Sequence, residues 1–233
     1  MFGIVLWILT LMLVVVIHEG GHFLAMRLCG IAVEEFSIGF GPLIYQRKAS
    51  SGVTYSFRAV LVGGFVKPAG ENASALFDEP SWLKRLFIFS AGMIANVVTA
   101  TIVLGFVFHT FSGAALFSFG NWLVTPYIIA KMLVTMPKTL AAGMMGPVGI
   151  VSLGAKHAMT LDAWLKLFAI IHIGLAGINL VPLPVLDGGR IAMMPFRRWL
   201  GRKGELKLAA FSAIPLLLLF IWLIIKDVLK LFG

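Results

Sequence analysis

The residues with the clearest chemical potential are His18-Glu19-Gly20-Gly21-His22, near the start of the chain. On an α-helix, residues four positions apart lie on one face, about 40° apart around the axis and about 6 Å apart along it. Two imidazoles placed in this way can bind one divalent metal ion, and zinc suits them because it accepts nitrogen ligands in a tetrahedral shell. The glutamate between them can act as a general base toward a water molecule at the metal. The spacing therefore predicts a catalytic zinc site.

The surroundings of this motif favour a metal site over simple packing. Residues 2–26 form an apolar run long enough to cross a bilayer, and the ionisable residues in its interior are His18, Glu19 and His22. Ionisable side chains inside a spanning helix are costly and usually mark functional sites. The alternative is a hydrogen-bonded polar cluster that holds helices together. Three titratable residues within five positions are a heavy cost for packing alone.

A third metal ligand must come from elsewhere, because a catalytic zinc ion takes three protein ligands and keeps one position open. The best candidate is Asp187, in Leu186-Asp187-Gly188-Gly189-Arg190, where the glycines let the backbone approach closely. The alternative is a structural aspartate that caps a turn or helix after Pro182 and Pro184. From the residues alone, the two interpretations are equally favoured.

The composition indicates that most of this chain is surrounded by lipid. It is 60% hydrophobic and 12% charged, whereas a soluble domain carries about a quarter charged residues. We predict a mostly α, polytopic membrane protein that forms a single integral domain over residues 1–233. Its four transmembrane helices are predicted at residues 2–26, 86–110, 163–181 and 206–225. The shorter apolar stretch at about 121–136 contains Pro126 and Lys131, and it is predicted to be interfacial or half-inserted.

Residues 34–66, between the first two spans, have a different pattern. Val, Ile, Phe and Tyr alternate there with polar residues and are interrupted by glycines. This alternation is typical of β-strands, and Ser50-Ser51-Gly52 is typical of a hairpin tip. We therefore predict a β-hairpin region in this loop.

The distribution of basic residues predicts the topology. The net charge is +9, yet no run of Lys and Arg is long enough for a nucleic-acid patch, so we expect no nucleic-acid partner. Seven basic residues lie between the first and second spans and six between the third and fourth. The positive-inside rule places both loops in the cytosol and both termini outside it. The histidines and Asp187 then reach the same depth only if residues 121–136 do not cross the bilayer.

Two separate motifs resemble those of the site-2 protease family of intramembrane zinc metalloproteases. His18 to His22 match its first motif, and Asn179-Leu-Val-Pro-Leu-Pro-Val-Leu-Asp187-Gly188 closely resembles its second. Gly63 to Lys67 look like part of the family's membrane-associated β-hairpin, and Gly146 to Ile150 look like the stretch before the third span. The chain is most similar to bacterial members that cleave an anti-sigma factor.

This resemblance implies a role for each matching residue. His18, His22 and Asp187 would ligate Zn²⁺, and Glu19 would activate the water molecule. Asn179 would contact the substrate backbone or the developing oxyanion, because an amide donates a hydrogen bond without adding charge. The alternative for Asn179 is a polar contact between helices.

The resemblance also implies a function: hydrolysis of peptide bonds in single-pass membrane proteins, within or near the bilayer, in regulated proteolysis. An extended substrate could add to a strand edge near residues 53–66. The expected location is a bacterial inner membrane. The alternative is a non-catalytic metal-binding scaffold or a transporter, although a transporter would normally show repeated halves, which this sequence lacks.

The sequence departs from the family pattern in two places. Met93 stands where relatives often have proline, and we expect only a local change in the helix. Larger relatives carry PDZ domains between the second and third spans, whereas Thr110 to Asn121 leave no room for one. Filtering of substrates by such domains is therefore not expected for this chain.

Overall fold

The computed structural model describes residues 2–69, 81–135, 145–157 and 160–232. Met136, the last residue of the predicted stretch at 121–136, lies outside them, as does the basic residue Lys138. The helices and strands, in chain order, are α1 (Phe2–Leu28), β1 (Val33–Lys48), β2 (Thr54–Pro68), α2 (Trp82–Phe108), α3 (Phe111–Thr135), α4 (Pro147–His157), α5 (Leu161–Asn179), α6 (Asp187–Met193) and α7 (Arg197–Phe232), with a short 3-10 turn at Met194–Phe196.

Four helical segments are long and apolar enough to span a membrane: Phe2–Leu28, Trp82–Phe108, Leu161–Asn179 and Lys203–Lys230. They correspond to the four predicted spans. The second and third begin slightly earlier than predicted because each has a capping residue. The Ser81 hydroxyl accepts a hydrogen bond from the Lys84 amide, and the Thr160 hydroxyl accepts one from the Ala163 amide.

Helices α1 and α2 pack side by side in opposite directions. His22 lies against Ile88, near the start of α2, while His18 lies against Asn96, further along α2. Higher residue numbers in α1 therefore face lower residue numbers in α2, as in an antiparallel pair. This pairing presents the predicted metal ligands of α1 to the N-terminal half of α2.

Helix α5 runs in the same direction as α1. Near its start, the Trp164 indole donates a hydrogen bond to the Thr10 hydroxyl at 3.0 Å. Further along, His172 lies 2.9 Å from Asn96, which in turn faces His18. The C-terminal ends of α1 and α5 therefore lie at the same end of the bundle. This is the arrangement that a shared metal site requires.

Helix α3 begins ten residues before the predicted position 121 and continues through Pro126. The Trp122 indole donates to the carbonyl of Ala176 at 3.2 Å, and a side chain at Gly177 would collide with Thr125. Helix α3 therefore lies along α5, and its interfacial or half-inserted position in the membrane stays a prediction. Helix α4, which follows it, was not predicted as a helix.

The predicted hairpin is present as two long antiparallel strands. Its tip is at the predicted position, where Gly52 has φ 84° and the Ala49 amide bonds to the carbonyl of Val53 at 2.8 Å. Each strand bends, so that its two halves lie side by side in the sheet as separate segments. Gly39, with φ 88°, lies where β1 bends. As a result, residues 35–38 pair with both ends of β2, and residues 43–48 and 64–68 form the sheet edges.

Helix α7 is bent near its start and lies largely outside the bundle. Gly201 has φ 60° and ψ 170°, which interrupts the helix, and the Arg197–Glu205 ion pair spans the bend at 2.7 Å. Its apolar span has few buried side chains, as expected of a helix that faces lipid. Asp227 is an exception: its carboxylate accepts a hydrogen bond from the Gly149 amide, in the first turn of α4, at 2.7 Å.

Candidate metal centre

The three predicted ligands meet in the structure. His18 Nε2 and His22 Nε2 each lie 3.1 Å from Asp187 Oδ2, and the two Nε2 atoms lie 3.3 Å apart. All three side chains are buried. Among the described residues, this is the one group of three or more His, Cys, Asp or Glu side chains arranged to hold a metal ion.

The spacing of these atoms fits a tetrahedral zinc shell. Ligand atoms at about 2.0–2.1 Å from zinc and at tetrahedral angles are separated by roughly 3.3 Å. The three observed separations are 3.1, 3.1 and 3.3 Å. Two imidazoles and one carboxylate also form a donor set that zinc accepts, with one position left open. The residues present therefore fit the ion that the sequence predicted.

The orientation of His22 is set by the backbone of α2. Its Nδ1 lies 2.8 Å from the carbonyl oxygen of Ile88, which can only accept a hydrogen bond. The Nδ1 atom therefore carries a proton, and in the neutral imidazole Nε2 keeps the lone pair that a metal needs. The carbonyl that selects this form belongs to the second turn of α2.

Gly92 provides the space in which both imidazoles sit. A Cβ atom at this position would lie 2.8 Å from Cε1 and Nε2 of His18 and would also collide with Nε2 of His22. The Gly21 face of α1 is equally close to α2, because a Cβ there would collide with the Ala91 carbonyl. These two glycines allow α1 and α2 to approach closely at the level of the histidines.

Asp187 is carried by a tightly folded segment after α5. It is the first residue of α6, and the N-cap position belongs to Leu186, which makes no side-chain capping bond. Added Cβ atoms at Gly188 and Gly189 would collide with the carbonyls of Leu180 and Leu183. The segment can fold back because these positions lack side chains. The Asp187 carboxylate lies against both histidines, and its role as a metal ligand stays a prediction.

Glu19 lies beside the hairpin. A Cβ atom at Gly64 would be 3.0 Å from Glu19 Cγ and 2.7 Å from the carbonyl oxygen of Ser37. The sheet edge at residues 64–68 therefore passes next to the predicted general base. A residue without a side chain allows the strand to lie this close to α1.

Asn179, the predicted substrate contact, is the last residue of α5 and is half-buried. Its amide donates a hydrogen bond to the Leu175 carbonyl of its own helix at 3.0 Å. None of the described hydrogen bonds joins it to the three clustered ligands. Its role toward substrate stays a prediction.

Two buried residues beside the site were not singled out as functional from the sequence. Asn96 in α2 lies between His18 and His172, and both Asn96 and His172 are fully buried. Among the described residues, the group arranged to hold a metal ion consists of His18, His22 and Asp187 and does not include His172. The sequence offered one signal for these two residues, a polar side chain inside an apolar span. The hydrogen bonds that join residues of three helices cannot be read from one segment.

Comparisons with known proteins find relatives that are named as proteases. A Vibrio cholerae protein that carries a zinc metalloprotease name is 39% identical over 139 residues, covering 56% of this chain and 30% of the relative. The regulator of sigma E protease of Haemophilus influenzae is 36% identical over 131 residues, covering 52% and 27%. The regulator of sigma-E protease RseP of Escherichia coli is 34% identical over 110 residues, covering 44% and 24%.

The chain spans less than a third of the length of each of these three relatives. The model of peptidase family M50, in contrast, matches residues 6–222, which include both motifs and most of all four spans. The predicted resemblance to the site-2 protease family is therefore confirmed: the chain belongs to peptidase family M50.

Proposed function

We propose that this protein is an intramembrane zinc metalloprotease that hydrolyses peptide bonds of single-pass membrane proteins in regulated proteolysis. The observation that carries the proposal is the convergence of His18, His22 and Asp187 in a bundle whose long helices are apolar enough to span a membrane. In this proposal the two Nε2 atoms and the Asp187 carboxylate hold the zinc ion.

The chemistry follows from the residues around the cluster. Bound there, zinc would supply Lewis acidity and make a water molecule more acidic at neutral pH. Glu19 accepts a proton from the water as its oxygen adds to the peptide carbonyl carbon. The same carboxyl group returns the proton to the amide nitrogen as the carbon–nitrogen bond breaks. Asn179 contacts the substrate after its amide turns away from Leu175.

A substrate strand that adds to the hairpin edge at residues 64–68 would bring its backbone beside Glu19. A helical substrate has no free carbonyl for attack, because its backbone groups are bonded within the helix. Pairing with a strand edge extends the segment and presents its carbonyls. The close approach of Gly64 to Glu19 supports this route.

The proposed location is a bacterial inner membrane with both charge-rich loops in the cytosol. Because α1 and α5 run parallel, the loops that follow them lie at one end of the bundle. The excess of basic residues in these two loops supports assigning that end to the cytosol. Both termini would lie outside the cytosol. A reporter fused to the C-terminus, active in one compartment only, tests the orientation.

The variant Glu19→Gln tests catalysis directly. It removes the proton acceptor but keeps the size of the side chain, so the purified variant should retain zinc and lose proteolysis. Membrane-protein fragments would be compared between cells that contain the wild-type protein and cells that contain Glu19→Gln. Asp162→Asn, at an exposed ion pair with Lys166, is the matched control and should remain active.

Persistence of the same fragments with Glu19→Gln would contradict the proposed catalytic role. The alternative, a metal-binding scaffold or transporter, predicts this unchanged fragment pattern. The protease proposal is favoured because relatives of this chain have protease names and because the chain retains the glutamate between the two histidines.

A further inference from the structure

Asn96 connects the metal cluster to a second, separate histidine. In the recorded orientation its Nδ2 lies 3.1 Å from His18 Nδ1 and its Oδ1 lies 2.9 Å from His172 Nδ1. Asn96 and His172 have no exposed surface, and His18 is 6% exposed. The three residues come from α2, α5 and α1, so one hydrogen-bonded row crosses three helices.

The tautomer of the His18 imidazole depends on this row. Its Nε2 atom faces His22 and Asp187, and an imidazole that binds a metal through Nε2 carries its proton on Nδ1. That Nδ1–H group is buried and must donate to an acceptor. Rotation of the Asn96 amide by 180° exchanges its oxygen and nitrogen within the same space. Its oxygen then accepts from His18, and its nitrogen donates to His172 Nδ1.

We propose that Asn96 and His172 form a positioning pair for the zinc ligand His18. The inference rests on the proposed function, because it takes the three clustered residues as zinc ligands. Asn96 selects the form of the His18 imidazole that leaves Nε2 free for the metal, and it holds the plane of the ring. His172 accepts from the Asn96 nitrogen and so keeps the amide oxygen turned toward His18.

The burial of His172 is difficult to explain by packing alone. Its Nδ1 pairs with Asn96, but among the described residues no hydrogen-bond partner is found for its Nε2. An unmade hydrogen bond in a buried site costs stability, which an apolar residue of similar size would avoid. The ring also stands edge to face against Phe168, with the centroids 4.5 Å apart, so its orientation is restricted. A histidine held in this way suits the task of orienting its one partner.

The competing explanation is that the row only holds the three helices together. The two explanations differ in zinc affinity. A purely structural row affects unfolding, whereas a positioning pair also affects the metal. Loss of an outer hydrogen bond to a ligating histidine typically weakens metal binding by about 10–100-fold.

The experiment measures the zinc Kd of the full chain in detergent by competition with a chromophoric chelator, and records the visible spectrum of the Co²⁺-loaded protein. Asn96→Leu and Asn96→Ala remove the acceptor, and we expect a zinc Kd about 10–100-fold higher with an altered cobalt spectrum. Asn96→Asp keeps an acceptor oxygen and should restore binding to nearly the wild-type Kd. His172→Leu should have a smaller effect of the same sign.

Asn121→Leu is the matched control, because Asn121 is exposed on α3 and bonds to the Phe117 carbonyl of its own helix. Its zinc Kd should equal that of the wild type. An unchanged Kd and cobalt spectrum in Asn96→Leu would overturn the inference, and so would equal losses in the leucine, alanine and aspartate variants. If Asn96→Leu fails to fold, Asn96→Ala decides by the same criteria. A wild-type chain that binds no zinc would instead refute the proposed function.

Discussion

The carboxylate of Asp187 lies 3.1 Å from Nε2 of His18, although 169 positions separate the two residues in the chain. The contact joins the first spanning helix to the segment that follows the third. It depends on the parallel direction of α1 and α5 and on the sharp return of the chain after Asn179. The predicted metal ligands therefore meet because of how the whole bundle is assembled.

Removal of the Asp187 carboxylate should disrupt zinc binding. In Asp187→Ala the cluster keeps two imidazoles and loses its only anionic ligand, so zinc affinity should fall by more than the roughly 10–100-fold typical of an outer contact. The measurement is the zinc content of the purified protein after dialysis against a weak chelator. Asp162→Ala, at an exposed aspartate in the first turn of α5, is the control. Full zinc occupancy in Asp187→Ala would remove this residue from the metal site.

A single methyl group at Gly92 should have a similar effect. The added Cβ of Gly92→Ala would press against both imidazoles, and overpacking of this kind costs about 1–3 kcal/mol. If the strain falls on the metal-binding arrangement, zinc affinity decreases by about 5–150-fold. Competition with a chelator measures this change.

Gly174→Ala is the control for Gly92→Ala. Gly174 also lies within a spanning helix, but an added Cβ there would have no atom within 4 Å beyond its chain neighbours and the backbone of its own helix. Its zinc affinity should match that of the wild type. Equal affinities for the Gly92 and Gly174 variants would show that the imidazoles move aside without cost.

Asp227 should stabilise the attachment of α7 to α4. Its carboxylate is buried and accepts a hydrogen bond from the Gly149 amide, as a capping residue does at the first turn of a helix. In Asp227→Ala the amide loses its acceptor, which costs about 0.5–2 kcal/mol. The midpoint of thermal unfolding in detergent should fall by about 2–4 °C for each kcal/mol lost.

Asp227→Asn separates hydrogen bonding from charge. Its amide oxygen can still accept from Gly149, so this variant should unfold closer to the wild type than Asp227→Ala does. Equal destabilisation by both substitutions would indicate that the negative charge, and not the hydrogen bond, holds the two helices together.

Much of the fold follows from local patterns in the sequence. The four spans were predicted from long apolar runs, and the hairpin from alternating apolar and polar residues with a glycine at its tip, Gly52. These patterns could be recognised because each one is contained in a short segment of the sequence. The helix boundaries were less accurate. Ser81 and Thr160 extend two helices by capping, and α3 begins at Phe111, ten residues before the predicted stretch at 121–136.

The candidate site divides in the same way. The sequence by itself determined the pair His18 and His22, since residues four apart on a helix share a face whatever the surrounding fold. It left Asp187 undecided between a metal ligand and a structural cap until a family resemblance was considered. It did not indicate the pairing of Asn96 with His172.

Only the tertiary structure decided which polar groups meet. The position of Asp187 depends on the direction of α5, on glycines that let the chain fold back, and on the close approach of α1 and α2 at Gly21 and Gly92. These are contacts between segments far apart in the chain. Local periodicity constrains the face that a helix presents, but it carries no information about which distant helix will face it.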